Sequence, residues 1–132
     1  MRINKIPNYI LIIFLGLTSF IIYANSLHGE FLIDDTKAFL SNERVHSLKD
    51  FLAKDFKDIS PGVLWRLTYV FNWHISGTNP YSYHLFNVLT NSACVILFFI
   101  LCNILFKNRI LSALASLIFA VHPIHAEAVS WI

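Results

Sequence analysis

The sequence predicts an all-α membrane protein, with about three transmembrane helices and a long external loop that carries amphipathic interfacial helices. Three observations predict it. Apolar residues make up 56% of the chain and charged residues only 14%, with a mean hydropathy of +0.59, whereas a soluble domain averages about 25% charged. The charge is clustered: Arg2 and Lys5 at the start, Lys107 and Arg109 near the end, and nearly all the rest between Glu30 and Arg66. Uncharged runs separate these clusters, which is the pattern of spans joined by polar connections. One function class is excluded: a net charge of +2 without a dense basic patch provides no nucleic-acid interface.

The first span is residues 7–24, PNYILIIFLGLTSFIIYA, within the roughly 17–25 residues that cross a bilayer. Tyr9 and Tyr23 stand near its ends, where aromatic rings favour the headgroup zone. The alternative is a cleaved signal peptide, with Arg2 and Lys5 as its basic start and Ala24-Asn25-Ser26 as a small-x-small cleavage site.

Residues 25–83 form the external connection. Val45, Leu48, Leu52 and Phe56 recur at helical spacing, with Lys49, Asp50, Lys54 and Lys57 on other faces. Ser47 followed by Asp50 has the form of a capping box. The spacing predicts an amphipathic helix over 47–57 lying at the membrane surface, or packed on the rest of a larger protein. Pro61-Gly62 breaks the chain. A second helix is expected over Val63–Ile75, rich in Trp65, Tyr69, Phe71 and Trp73, and Gly77-Thr78-Asn79-Pro80 then turns the chain.

The second span is residues 84–106. Asn87, Asn91 and Asn103 interrupt it, and asparagine in hydrocarbon needs a partner, so these residues should face other helices. Cys94 and Cys102 lie in the same run, about 12 Å apart along a helix, too far for a disulfide. They read as small packing residues and do not report the redox compartment. Lys107-Asn108-Arg109 is a basic turn. The third run, 110–121, is only about 18 Å long as a helix. The polar stretch after it therefore lies at the membrane boundary or within the outer leaflet, and a further helix starts over 123–132. The whole chain, 1–132, is expected to be one part of a longer membrane domain.

Basic residues in short loops set orientation. They place Arg2, Lys5, Lys107 and Arg109 in the cytoplasm, and 25–83 and 122–127 outside. Two polar constellations then reach the same face of the membrane. One is Asp34-Asp35, behind the apolar Phe31-Leu32-Ile33. Adjacent side chains on an extended chain point to opposite faces, so one carboxylate faces a given site unless a turn gathers both. General base, metal ligand, helix cap and solvated turn all remain open for them. The other is His122, His125 and Glu127, three ionisable side chains within six residues beside a span. Pro123 favours a helix start there, and a helix N-terminus suits a phosphate. The pattern is not the His-Glu-x-x-His of zinc hydrolases. Interfacial histidines with a capping Glu127 are the plainer reading, although ionisable residues at membrane depth are functional by default.

Taken in order, the first span, Gly29-Glu30-Phe31-Leu32-Ile33-Asp34-Asp35, Arg66-Leu67-Thr68, Tyr83-His84-Leu85-Phe86-Asn87-Val88-Leu89 and Phe119-Ala120-Val121-His122-Pro123-Ile124-His125-Ala126-Glu127-Ala128-Val129 resemble the N-terminal part of the GT-C membrane glycosyltransferases. They are most similar to the transmembrane O-mannosyltransferases with tetratricopeptide repeats and to their prokaryotic relatives. The resemblance runs from about residue 24 to the end, and the His-Pro-Ile-His-Ala-Glu stretch is its most specific part. The family usually has Arg-Pro-Leu where this chain has Arg66-Leu67-Thr68.

That resemblance implies a sugar donor, mannose among the candidates, carried on a polyprenyl phosphate in the outer or lumenal leaflet. It implies a hydroxyl acceptor, with protein serine or threonine among the candidates, and membrane lipids as surroundings. The membrane is the plasma membrane in a prokaryote and the endoplasmic reticulum in a eukaryote. By the same resemblance Asp34 or Asp35 is the acid in the first external loop that acts near the acceptor. Arg66 is a candidate for the donor. His122, His125 and Glu127 are candidates for the donor phosphate or for a divalent metal ion. The rival expectation is a non-catalytic membrane anchor or assembly module for a downstream tetratricopeptide-repeat domain. A transporter fragment is a third.

Overall fold

The computed structural model describes residues 7–32, 41, 46–55 and 62–132, and among them every regular element is a helix. The chain divides into two compact units. One comprises Met1–Ser26 and Phe86–Ser130; the other comprises Leu27–Leu85 with Trp131–Ile132.

The first unit is built from α1 (Asn8–Tyr23), most of α4 (Tyr81–Phe106), α5 (Arg109–Val121) and α6 (His125–Ser130). A 3-10 turn, Ala24–His28, prolongs α1. With that turn α1 runs for 21 residues and α4 for 26, and both are long and apolar enough to cross a membrane. At 1.5 Å per residue α4 is about 39 Å long. It starts three residues before the expected second span, because Asn79 Oδ1 accepts the Tyr81 N–H at 3.0 Å and the Pro80 carbonyl receives the Tyr83 and His84 N–H groups. The α4–α5 turn forms as the sequence predicts. Lys107 takes the left-handed conformation at φ 51°, and Asn108 Oδ1 accepts from Ile110 and Leu111 N–H at 3.1 and 3.2 Å.

What this unit buries is unusual for a protein in water. Leu15, Val95, Phe99 and Ala120 form its apolar core, but Ser19, Asn91, Ser92, Ser112 and Ser116 are buried beside them. Ser112, Ser116 and Ala120 recur every fourth residue on α5. Their small size lets α5 approach α1, and the hydroxyls of Ser112 and Ser116 are satisfied by the Asn108 and Ser112 carbonyls at 2.8 Å. Asn91 donates from Nδ2 to Ser19 Oγ across the interface at 3.0 Å, so this asparagine faces another helix as expected. Gly16 on α1 lies so close to α4 that a Cβ there would meet Ile96 Cδ1 at 3.1 Å. Large aliphatic residues point the other way: Ile13, Leu17 and Ile21 on α1, Leu97 and Ile104 on α4, Leu114 and Ile118 on α5 are all exposed. Small and polar inside with large and apolar outside is the arrangement that a hydrocarbon surrounding stabilises. Cys94 and Cys102 are free thiols, one exposed and one buried.

The second unit holds α2 (Leu48–Asp50), which continues as a π-helical turn over Phe51–Asp55, and α3 (Val63–Ser76). Ser47 caps α2, its Oγ accepting the Asp50 N–H at 3.3 Å. Phe51 is the buried residue, packed with Val70 and Tyr83, whereas Leu48 and Leu52 are exposed. Phe31, Val63 and Tyr69 pack against this buried cluster. Val45 and Phe56, the other two residues of the expected stripe, lie outside the described residues. α3 covers the predicted 63–75 and one residue more. Gly62 at φ 93° precedes it and Gly77 at φ 54° ends it, both in backbone regions that glycine adopts without steric cost. The turn into α4 is held by Tyr83 Oη donating to the Gly77 carbonyl at 3.0 Å and by a hydrogen bond between the Ser76 and Ser82 hydroxyls.

Candidate functional site

The described site residues of the first unit gather where α5 gives way to α6. His122 ends α5, in extended conformation, with its N–H bonded to the Phe119 carbonyl at 3.3 Å. Its Nδ1 accepts the Ile124 N–H at 3.2 Å. That role needs a lone pair on Nδ1, so in the neutral ring the proton sits on Nε2. The His122 ring thereby caps the turn that opens at Pro123, where the sequence predicts a helix start, and the regular helix runs from His125. The His125 N–H then bonds the His122 carbonyl at 3.2 Å, and the Ala126 N–H bonds the Pro123 carbonyl at 3.0 Å.

The side chains divide by exposure. His122 and Glu127 are exposed, while His125 is half-buried against Phe119, with ring centroids 4.4 Å apart. The two imidazoles stand 6.3 Å apart, tilted by 70°. Glu127 lies in the first turn of α6. Val129 is buried, and α6 packs on α1. This arrangement presents one Nε2–H donor from His122, a second imidazole and a carboxylate within one short turn. Such groups bind and orient an anion or a hydroxyl. Among the described residues no three His, Cys, Asp or Glu side chains come together as a metal site.

Arg66 belongs to α3 in the other unit. It is half-buried, with its guanidinium carbon 5.4 Å from the centroid of the Trp65 ring, within the distance at which a cation is attracted by an indole face. Asp34 and Asp35 lie outside the described residues.

Two histidines were not picked out from the sequence. His84 is 1% exposed, in the first turn of α4. An ionisable residue where a span begins is the signal that marks it, and Tyr83–Leu89 enters the sequence reading only as part of the resemblance. His46 lies flat on Trp73, ring centroids 3.6 Å apart and 9° from parallel; the pair is 27 residues apart, counting 46 to 73, and no local pattern announces it.

Helices with polar interiors and apolar exteriors, ending in an ionisable turn, define a helical membrane-protein segment. No family profile matches the chain, and no solved structure matches it. Curated proteins do. Protein O-mannosyl-transferase TMTC3 of Homo sapiens is 37% identical over 122 residues, covering 82% of this chain and 13% of the relative. Protein O-mannosyl-transferase tmtc2 of Xenopus laevis is 35% identical over 124 residues, covering 85% and 15%. Protein O-mannosyl-transferase TMTC1 of Homo sapiens is 33% identical over 124 residues, covering 83% and 14%. The chain is therefore a relative of the protein O-mannosyl-transferases, as the motifs led one to expect, and it spans about one seventh of their length.

Proposed function

We propose that the chain is part of a multi-pass membrane glycosyltransferase that moves a sugar, mannose by the names of its relatives, from a polyprenyl-phosphate donor to a hydroxyl of a protein serine or threonine. The observation that carries this reading is the relation to protein O-mannosyl-transferases at 33–37% identity over more than four-fifths of the chain. The exposed His122 and Glu127 beside the end of α5 support it.

In this reading the acceptor oxygen bonds to the anomeric carbon of the sugar while the bond from that carbon to the phosphate oxygen breaks. The acceptor proton goes to Asp34, with Asp35 as the supporting carboxylate, since a hydroxyl acceptor needs a carboxylate within hydrogen-bond reach. The departing lipid phosphate gathers negative charge and needs donors or a cation. His122 and His125 are the donors, and Arg66 is a further cation for the donor. Glu127 with Asp34 or Asp35 is the set that would hold a divalent ion, which would supply positive charge to the phosphate. The test uses the full-length protein in proteoliposomes, with polyprenyl-phosphate mannose and a serine- and threonine-rich peptide. Mannosylated peptide is the expected result. An inserted protein that transfers nothing from the lipid donor overturns the reading, and the anchor for a repeat domain takes its place.

A further inference from the structure

We infer that Phe119 is a positioning residue for His125: its ring, stacked on Phe98, fixes the imidazole in the orientation that meets the departing phosphate. This rests on the reading of His125 as a donor to that phosphate, and the experiment separates the two. The two histidines of the turn are held in different ways. His122 commits Nδ1 to the Ile124 N–H at 3.2 Å, which leaves Nε2 for a ligand. His125 spends neither ring nitrogen on a hydrogen bond among the described residues. Its neutral ring therefore keeps one N–H donor and one lone pair for a ligand.

An imidazole that acts through one nitrogen is ordinarily oriented by a hydrogen bond on the other. Rings do that work for His125. It is half-buried, with the Phe119 centroid 4.4 Å away at a tilt of 53° and the His122 centroid at 6.3 Å. Phe119 is itself fixed. It stacks on Phe98 of α4, centroids 4.7 Å apart and 19° from parallel, and it packs against the buried cluster of Leu15, Val95, Phe99 and Ala120. Three helices thus meet at one ring: α4 through Phe98, α5 through Phe119 and α6 through His125.

A continuous helix would not make this contact. Phe119 and His125 are six residues apart, counting 119 to 125, which puts them about 120° apart around a helix axis. The break between α5 and α6 brings the imidazole onto the phenyl ring. Leucine at 119 would keep apolar volume but present no flat face to the imidazole. A misplacement of about 1 Å at a reacting group costs up to about 10²-fold in rate. Charge on the phosphate grows as its bond to the sugar breaks, so a well-placed N–H donor counts most in the transition state. Its loss then appears in kcat, with the KM for the lipid donor unchanged.

The test is a double-mutant cycle on full-length protein in proteoliposomes, with polyprenyl-phosphate mannose and a serine- and threonine-rich peptide. Phe119→Leu is expected to lower kcat by up to about 10²-fold at unchanged KM for the lipid donor. Phe119→Tyr, which keeps the ring, is expected to retain wild-type kcat. In a His125→Ala background Phe119→Leu should lower kcat no further, because the group it positions is gone. Equal losses in both backgrounds overturn the inference alone, since the ring then acts through general packing. A rise in KM at unchanged kcat overturns it too. A wild-type protein that transfers nothing overturns the glycosyltransfer reading and this inference together. Because Phe119→Leu can misfold, the unmodified ring gives a second readout. With histidine carbon-13 labelled, the His125 Cε1–H signal, assigned by its loss in His125→Ala, must be displaced from the free-histidine position by the Phe119 ring current. An undisplaced signal in the inserted wild-type protein counts against the positioning, whatever the protein transfers.

Discussion

Asn91 and Ser19 show how single residues tie the membrane helices together. The asparagine amide donates to the serine hydroxyl at 3.0 Å, with both residues buried. Hydrogen bonds between transmembrane helices average about 0.6 kcal/mol and reach about 1.7. A double-mutant cycle with Asn91→Ala and Ser19→Ala, measured by unfolding in bicelles, is expected to give a coupling in that range; a coupling of zero would leave the contact without energetic meaning. The sequence announced that Asn91 needs a partner but not which one. An amide in hydrocarbon states its need through composition alone, whereas its partner, 72 residues away, is fixed by how α1 and α4 pack. The same holds for Phe51. Leu48 and Leu52 share its apolar character, and that Phe51 is the one buried with Val70 and Tyr83 is a matter of tertiary packing.

At the scale of elements, the helix ends were the most legible part. Asn108 between two basic residues, Ser47 before Asp50, and Gly62 and Gly77 each stand where a helix starts or stops, and local chemistry suffices for that. Asn108 supports two N–H groups of α5 with one side-chain oxygen. Losing a cap of this kind costs about 0.5–2 kcal/mol. Asn108→Ala is therefore expected to lower unfolding stability by that amount, and Asn108→Asp, which keeps the acceptor, to preserve it. Equal losses in both would show that the side chain acts by some other route. The start of α6 follows the same rule: Pro123 is suited to the first helical position, and the His122 ring before it caps the turn by accepting the Ile124 N–H, with the regular helix running from His125.

For the whole molecule, the distribution of residue types matters more than any single contact. A first unit that buries serines and an asparagine while exposing isoleucines and leucines is a membrane unit, and its relatives are named protein O-mannosyl-transferases. The site was legible only in part. His122, His125 and Glu127 come together as a local turn, which sequence proximity guarantees. Their convergence with Asp34 and Asp35 depends on long-range packing, and those two residues lie outside the described ones. The proposed chemistry therefore stands on the acidic pair, and one measurement addresses it directly: sugar transfer from polyprenyl-phosphate mannose by full-length Asp34→Asn and Asp35→Asn proteins, each checked for membrane insertion. Loss of a general base costs about 10²–10⁴-fold in rate, so Asp34→Asn is predicted to fall by that factor while remaining inserted. Wild-type transfer rates in both variants would contradict the assignment.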